Sequence, residues 1–210
     1  MIRILVADDH AIVREGLKQI VSEMPDMVVA GEASDGEEVL KEVQEDNYDV
    51  VLLDISMPGR SGLEVLKELK SQRAGLPVLM LSIHPEEQYA VRALRAGASG
   101  YLTKASAPAE LVAAIRKAAV GGKYVTSSLA QKLASELTLD ASEPPYRNLS
   151  DREYQVLCMI ASGKAIKEIA EDMLLSAKTV STYRSRVLAK LRLKSNAELV
   201  RYAIENRLVV

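Results

Sequence analysis

Asp54 stands at the end of an apolar run, Val50-Val51-Leu52-Leu53, and is followed by Ser56-Met57-Pro58 and Gly62. Far upstream a second apolar run, Ile2 to Ala7, ends in Asp8-Asp9. Two later runs end in Ser82 and, just past Tyr101-Leu102, in Lys104. Carboxylates gathered together repel, and each raises the pKa of the others unless a cation is present. Mg²⁺, or Mn²⁺ in its place, meets that need, because such an ion takes a few carboxylates and a carbonyl while keeping several waters. Asp9, Asp54 and the Ser56 backbone carbonyl would ligate the ion directly, with Asp8 acting mainly through water. Asp54 is then a nucleophile able to form an acyl phosphate. Lys104 can pair with one phosphate oxygen and the Ser82 hydroxyl can donate to another. No other residue reads as a general base, so the expected chemistry is positioning plus charge stabilisation, without enzymatic turnover.

Any one of these acids could be an ordinary turn residue, since Asp is common there. All five residues at the ends of strands are harder to obtain by accident, and the rest of the chain supplies those strands. Over the first 120 residues, short β-branched runs (Ile2–Ala7, Met27–Ala33, Val50–Leu53, Val78–Leu81, Gly100–Leu102) alternate with helical patterns near His10–Glu23, Gly36–Glu45, Gly62–Ser71, Glu86–Ala96 and Ala107–Val120. The strands are apolar almost throughout, as expected when helices cover both faces of a sheet. Turn-forming residues fall between the elements: Pro25, Asp35-Gly36, Pro58-Gly59, Gly75, Pro85 and Gly97. The pattern predicts a doubly wound, five-stranded parallel sheet with the flavodoxin-like order 2-1-3-4-5, which places Asp8, Asp9, Asp54, Ser82 and Lys104 on one rim. His10, with no second His or Cys at ligand spacing, reads as a surface residue at the start of the first helix, and His84 as a residue shaping water access.

Gly121-Gly122 close the fifth helix, and Leu129, Leu133 and Leu137 then predict a sixth over 127–137 whose apolar stripe docks on a neighbour. Thr138–Arg147, with Pro144-Pro145, reads as an extended linker. The organisation expected is thus one domain over 1–122, a connecting region over 123–147, and a second domain over 148–210. Charge divides in the same way. Residues 146–210 hold 12 Lys+Arg against 7 Asp+Glu, a net of +5, whereas the chain as a whole carries −2. A basic last part behind an acidic first part suggests that only the last part meets a polyanion. The single cysteine, Cys158, lies in an apolar stretch and reads as a buried structural thiol. No apolar stretch approaches membrane-spanning length, and a cytoplasmic protein is expected.

The last sixty residues predict four helices: Asp151–Ser162, behind Ser150 with Glu153 at capping-box spacing, then Ile166–Met173, Ala177–Leu191 and Asn196–Asn206. The second and third, joined by a three-residue turn, have the spacing of a helix-turn-helix. On Ala177–Leu191, Val180, Val187 and Leu191 share one face, with Tyr183 and Leu188 on its flanks. Lys178, Ser181, Thr182, Ser185, Arg186 and Ala189 lie opposite. Thr179, Lys167 and Lys190 complete the set expected to meet double-stranded DNA, with Lys167, Arg186 and Lys190 on phosphates. Arg184 points to the inner edge and is expected in an ion pair with Glu153 or Glu168.

Asp8-Asp9, Asp54-x-x-Met57-Pro58 with Gly62, Ser82 and Lys104 resemble the receiver domain of two-component response regulators. Leu149-Ser150-x-Arg152-Glu153, Gly163, Lys167-Glu168-Ile169-Ala170, Lys178-Thr179-Val180 and Leu188-x-x-Leu191 resemble the LuxR-type helix-turn-helix. The two in this order resemble a NarL/FixJ-type response regulator over nearly the whole chain. The resemblance implies that Asp54 takes phosphate from a sensor histidine kinase, that Ser82 moves toward the phosphoryl group, and that Tyr101 turns inward with it. It further implies recognition of DNA by Ala177–Leu191, a phosphorylation-dependent homodimer with contacts through Asn196–Asn206, and control of transcription through RNA polymerase. Two departures stand out: Ala105 follows the lysine where many receivers have proline, and Ala165-Ile166 stand where small polar residues usually begin the scaffold helix. Aspartate-nucleophile phosphatases resemble the pattern less well, because Ser56 occupies the place of their second Asp.

Overall fold

The computed structural model describes residues 1–138, 144–206 and 208–209. The chain divides into two compact units, Met1–Ala134 and Ser135–Val210. In the first, strands β1 (Ile2–Ala7), β2 (Met27–Ala33), β3 (Val50–Asp54), β4 (Val78–Ser82) and β5 (Gly100–Thr103) alternate with helices α1 (Ala11–Ser22), α2 (Gly36–Glu45), α3 (Gly62–Gln72), α4 (Glu86–Arg95) and α5 (Pro108–Ala119). The strands form one parallel sheet in the order β2-β1-β3-β4-β5, as the alternation predicts.

The apolar strands are buried from both sides. Ile4, Val6, Val50, Leu52, Leu79 and Leu81 pack with Leu17 and Val21 of α1 and with Leu111, Val112, Ile115 and Ala118 of α5. Successive side chains of a strand point to opposite faces, so Leu5, Val51, Leu53 and Met80 face the other layer. There α2, α3 and α4 supply buried Val39, Leu40, Val43, Leu63, Leu66, Leu69, Tyr89 and Ala93. Asp35 caps α2 by accepting from the amides of Glu37 and Glu38, and Ser61 with Glu64 forms a full capping box on α3. Helix α6 (Ser127–Thr138) follows, with Leu129 buried and Leu133 half-buried.

Of the expected extended linker, residues 139–143 lie outside the described residues. Pro145–Asn148 differs from the expectation and forms a 3-10 turn, with Pro145 at a position that needs no amide donor. In the second unit α7 (Asp151–Ala161), with the Ser150–Glu153 capping box, packs against α9 (Ala177–Leu191) and α10 (Asn196–Glu205), while α8 (Ile166–Asp172) packs on α9. Val180, Val187 and Leu191 are the buried face of α9, and Cys158 is buried within α7. No described helix is long and apolar enough to cross a membrane.

Candidate functional site

Parallel pairing brings the carboxyl ends of β1, β3, β4 and β5 to one edge, and the five predicted residues meet there. Lys104 places its Nζ 2.7 Å from Asp8 Oδ2 and 2.9 Å from Asp54 Oδ2. Both acids are fully buried, and the lysine side chain is only 14% exposed. The ladder continues past the strands, since Lys104 N donates to Ser82 O (2.7 Å) and Ile55 N to Leu81 O (3.1 Å). The Asp54 and Lys104 side chains are therefore aimed by backbone that is itself hydrogen-bonded. Among the described residues no peptide bond is cis, the one following Lys104 included.

Burial pushes the Asp54 carboxyl up; Lys104 pulls it back, Asp8 adds to the push, and the result lies above the ordinary carboxylate range. Burial draws the Lys104 ammonium down, but the charges of Asp54 and Asp8 more than offset it and its pKa is raised. One cation thus faces two buried acids. Asp54 Oδ1 is buried with no side-chain donor on it; the Ser56 amide is the one backbone group that favours the charged carboxylate, which leaves this oxygen under-satisfied for a buried acid.

Asp9 and His10 complete the cluster. Ligand atoms of Asp8, Asp9, His10 and Asp54 all lie within 4.8 Å of one another. His10 is more than the surface residue expected: it precedes α1, donates its amide to Asp8 Oδ1 (2.9 Å), and sets its Nδ1 2.8 Å from Asp9 Oδ1. Carboxylate oxygens dominate the set, which fits a hard divalent cation.

Sequence reasoning missed Arg14. Its Nη1 donates to the Asp8 carbonyl (2.7 Å) while its Nε pairs with Glu32 (3.2 Å), fixing the loop that carries both leading acids. A cation in the first turn of a helix opposes the helix dipole, and that anomaly was the available signal. Gly62 is also part of the site's frame. A Cβ there would lie 2.0 Å from the Asp54 carbonyl oxygen, so α3 can start this close to β3 only on a glycine.

Ser82 and Tyr101 are both buried and converge on one residue. Ser82 Oγ accepts from the His84 amide (3.0 Å), and the Tyr101 hydroxyl donates to the His84 carbonyl (2.8 Å). The His84 ring in turn packs at 5.1 Å on that of Tyr89.

In the second unit, Lys178, Ser181, Thr182, Ser185, Arg186 and Ala189 are exposed along α9, and Lys167 is exposed on α8. Thr182 Oγ1 and Ser185 Oγ donate back to the carbonyls of Lys178 and Ser181, both at 3.0 Å. Thr179 shares a 2.8 Å hydroxyl bond with the N-cap Ser176 and sits at the edge of the exposed strip. Ala165 has no side-chain acceptor, so at α8 only Glu168 reaches back to the helix start, at 2.6 Å.

One expectation is corrected, and Lys190 has a partner within its own unit. Arg184 bonds Asn196 Oδ1 at 2.5 Å, tying α9 to α10, rather than Glu153 or Glu168. Lys190, expected on a DNA phosphate, turns its Nζ inward to Glu153 (2.6 Å) and the Asn148 carbonyl (3.3 Å). The cause is Glu153, whose side chain is only 4% exposed and needs a counter-ion. Burial pushes its carboxyl up, but Lys190 and the Ser150 amide outweigh that and hold it below the ordinary carboxylate range. A depressed carboxyl stabilises the fold above its unfolded pKa, and that contribution fades as pH falls through the folded value. Lys190→Ala should therefore cost about 1–2 kcal/mol at neutral pH, less than a fully buried pair because the lysine is half-exposed. Denaturation at neutral and acid pH checks it: the difference from wild type should shrink as Glu153 protonates.

A doubly wound sheet with this acid-and-lysine rim, joined to a capped helix-turn-helix unit, defines a signal receiver coupled to a DNA-binding module. Residues 4–116 match the response regulator receiver domain, and residues 147–203 match the bacterial regulatory proteins of the luxR family. The chain is 40% identical over 209 residues to the response regulator UvrY of Escherichia coli (strain K12), covering 99% of this chain and 96% of that one. It resembles a crystal structure of a LuxR-family two-component response regulator from Aurantimonas sp. SI85-9A1, with 36% identity, TM-score 0.60, and 64% and 96% of the two chains covered. RcsB from Salmonella enterica serovar Typhimurium, bound to promoter rprA in the presence of phosphomimetic BeF3−, gives 25% identity, TM-score 0.66, and 96% and 97% coverage. The chain belongs to the NarL/FixJ-type response regulators of two-component systems, receiver first and luxR-type DNA-binding domain last.

Proposed function

We propose that Asp54 is the phosphoryl acceptor and that its phosphorylation by a sensor histidine kinase governs DNA binding by α9. The observation that carries this reading is the fully buried Asp54 carboxylate at the strand end, 2.9 Å from Lys104 and clustered with the Asp8–Asp9 pair. In the transfer, an Asp54 oxygen forms a bond to phosphorus as the donor's phosphorus–nitrogen bond breaks and the kinase imidazole departs. Lys104, held between Asp8 and Asp54, is placed to pair with a phosphoryl oxygen, and the Ser82 hydroxyl to donate to another.

Asp9, Asp54 and the Ser56 carbonyl would hold Mg²⁺ or Mn²⁺, with Asp8 bridging through water. When bound, the ion neutralises charge on the acids and on the incoming phosphate. Arg14 keeps Asp8 and Asp9 in place for it. The rim residues position a phosphoryl group and stabilise its charge, the work of a switch rather than of a turnover enzyme. We assign residues 1–122 to the receiver, 123–147 to the connection and 148–210 to the DNA-binding domain of a cytoplasmic regulator.

On double-stranded DNA, Lys178, Thr179, Ser181, Thr182 and Ser185 of α9 face base edges and the nearby backbone, while Arg186 and Lys167 take phosphates. Hydroxyls both donate and accept, so they discriminate bases less than an Arg–guanine pair does. Phosphorylation would favour a homodimer with α10 at its interface, and the DNA-bound dimer would act on RNA polymerase. Selection of binding sites from a random DNA library, with phosphorylated and unphosphorylated protein, tests this. Phosphorylation should raise affinity for the selected site. Binding should weaken with salt at a log–log slope of roughly −0.9 per phosphate neutralised, and Arg186→Ala should reduce that slope by about one contact. Equal affinity in the two states would instead describe a constitutive DNA-binding protein.

A further inference from the structure

Beyond the phosphoryl site, the first unit grips the chain that leaves it. After α5, Lys123 and Tyr124 run beside β5: Tyr124 N donates to Ser99 O (2.7 Å), and Lys123 Nζ reaches Ala98 O (2.6 Å). Thr126 then caps α6, accepting from the Leu129 amide at 3.2 Å. The same Thr126 hydroxyl donates to both oxygens of Glu86, at 2.7 and 2.8 Å, and the Ser128 hydroxyl donates to Glu86 at 2.8 Å. Glu86 is the first residue of α4 and lies two positions past His84, whose amide and carbonyl are held by Ser82 and Tyr101.

We propose that Glu86 is a latch, holding the start of α6 against the start of α4 until a phosphoryl group on Asp54 draws the Ser82 hydroxyl away from His84. The coupling follows from the hydrogen bonds. Asp54 pairs across the sheet with Leu81, so Ser82 is the next residue along the neighbouring strand. A phosphoryl group brings strongly accepting, charged oxygens to a rim where Ser82 is the uncharged buried donor. Turning its hydroxyl toward them takes the acceptor from the His84 amide, and the loop leading into α4 must find a new position. Glu86 begins that helix, whereas Thr126 and Ser128 belong to a segment anchored separately on β5 and through buried Leu129. The two sides of the latch are therefore fixed to different parts of the receiver, and moving one breaks the contact. Every route along the chain to the second unit passes through α6, which makes its first turn the place to regulate.

The proposal rests on Asp54 as the acceptor, but its first test does not. Hydrogen exchange of the α6 amides is measured on the full chain, unphosphorylated, for wild type, Glu86→Ala and the double variant Thr126→Val/Ser128→Ala. Both variants should speed exchange around Leu129 by about 10- to 100-fold, as expected for losing one or two charge-assisted hydrogen bonds. Both should also move the DNA affinity of unphosphorylated protein toward that of the phosphorylated form. The double variant leaves α4 untouched, and Ser128→Ala alone, which keeps the Thr126 cap on the Leu129 amide, should show a smaller acceleration that separates the latch from the cap. Wild type labelled on Asp54 should show the same local acceleration. Unchanged α6 exchange in labelled wild type overturns the latch. So does faster exchange in both variants with DNA affinity unmoved. Failure to label Asp54 at all would instead overturn the phosphoryl assignment.

Discussion

Asp54→Ala protein, incubated with Mg²⁺ and a small phosphodonor, should take up no phosphoryl group, where wild type gains one that is labile to acid and base. Asp8 and Asp9 remain in that variant. Asp8 is held on both oxygens, Oδ1 by the His10 amide and Oδ2 by Lys104, and Asp9 is partly exposed beside His10, whereas Asp54 is buried with Lys104 on Oδ2 alone. Mass spectrometry of intact protein reads the result directly, and label persisting at the wild-type level would remove Asp54 from its role. Asp9→Ala should lower Mg²⁺ affinity and labelling together while leaving the acceptor in place. Labelling of Asp9→Ala at wild-type rate and wild-type Mg²⁺ dependence would show that the ion is held elsewhere.

Gly62→Ala should be the most damaging single methyl in the first unit. The new Cβ would meet the Asp54 carbonyl oxygen at 2.0 Å and its carbon at 2.8 Å, and these are backbone atoms that no rotamer change can move. Either β3 or the start of α3 must shift, disturbing the Gly62 N–H bond to the Ile55 carbonyl (2.9 Å) and the Ser61–Glu64 cap. A loss of about 3–5 kcal/mol is expected, lowering the melting temperature by roughly 12–25 °C for a unit of this size. Gly16→Ala is the natural control: nothing lies within 4 Å of its Cβ, and it sits within α1. Exchanging glycine for alanine in a helix interior should stabilise by roughly 1 kcal/mol. Similar melting of both variants would show that β3 and α3 are less tightly joined than the geometry states.

The sheet and its rim were legible because their signals are local. Each strand is a short apolar run ending in a polar residue, and each helix begins and ends within a residue or two of where caps and glycines place it. Contacts between distant residues were not legible in that way. Lys190 lies beside Arg186 on a basic helix, and charge alone assigns both to DNA. Only the fold shows that a carboxylate 37 positions earlier lies buried within reach of its long side chain. Arg184 was read correctly as inward-facing, but its partner is the amide of Asn196, brought close by the turn between α9 and α10. Arg14 bonds a backbone carbonyl, a partner that no residue type announces, and its place near the start of α1 was the one local hint. Pro144-Pro145 suggested extended chain, yet proline is equally suited to the first turn of a 3-10 segment.

Lys123 and Tyr124 also bear on whether the margin of the sheet can recruit another chain. β5 is the last strand of its sheet, and an uncovered strand at that place offers unpaired amides and carbonyls to any other chain. Tyr124 bridges to Gly100 and shields that margin, at an approach so close that a Cβ on Gly100 would lie 2.8 Å from the Tyr124 carbonyl oxygen. A side chain at position 100 would push the shield away, and the expected symptom is self-association into sheet-rich aggregates rather than simple unfolding.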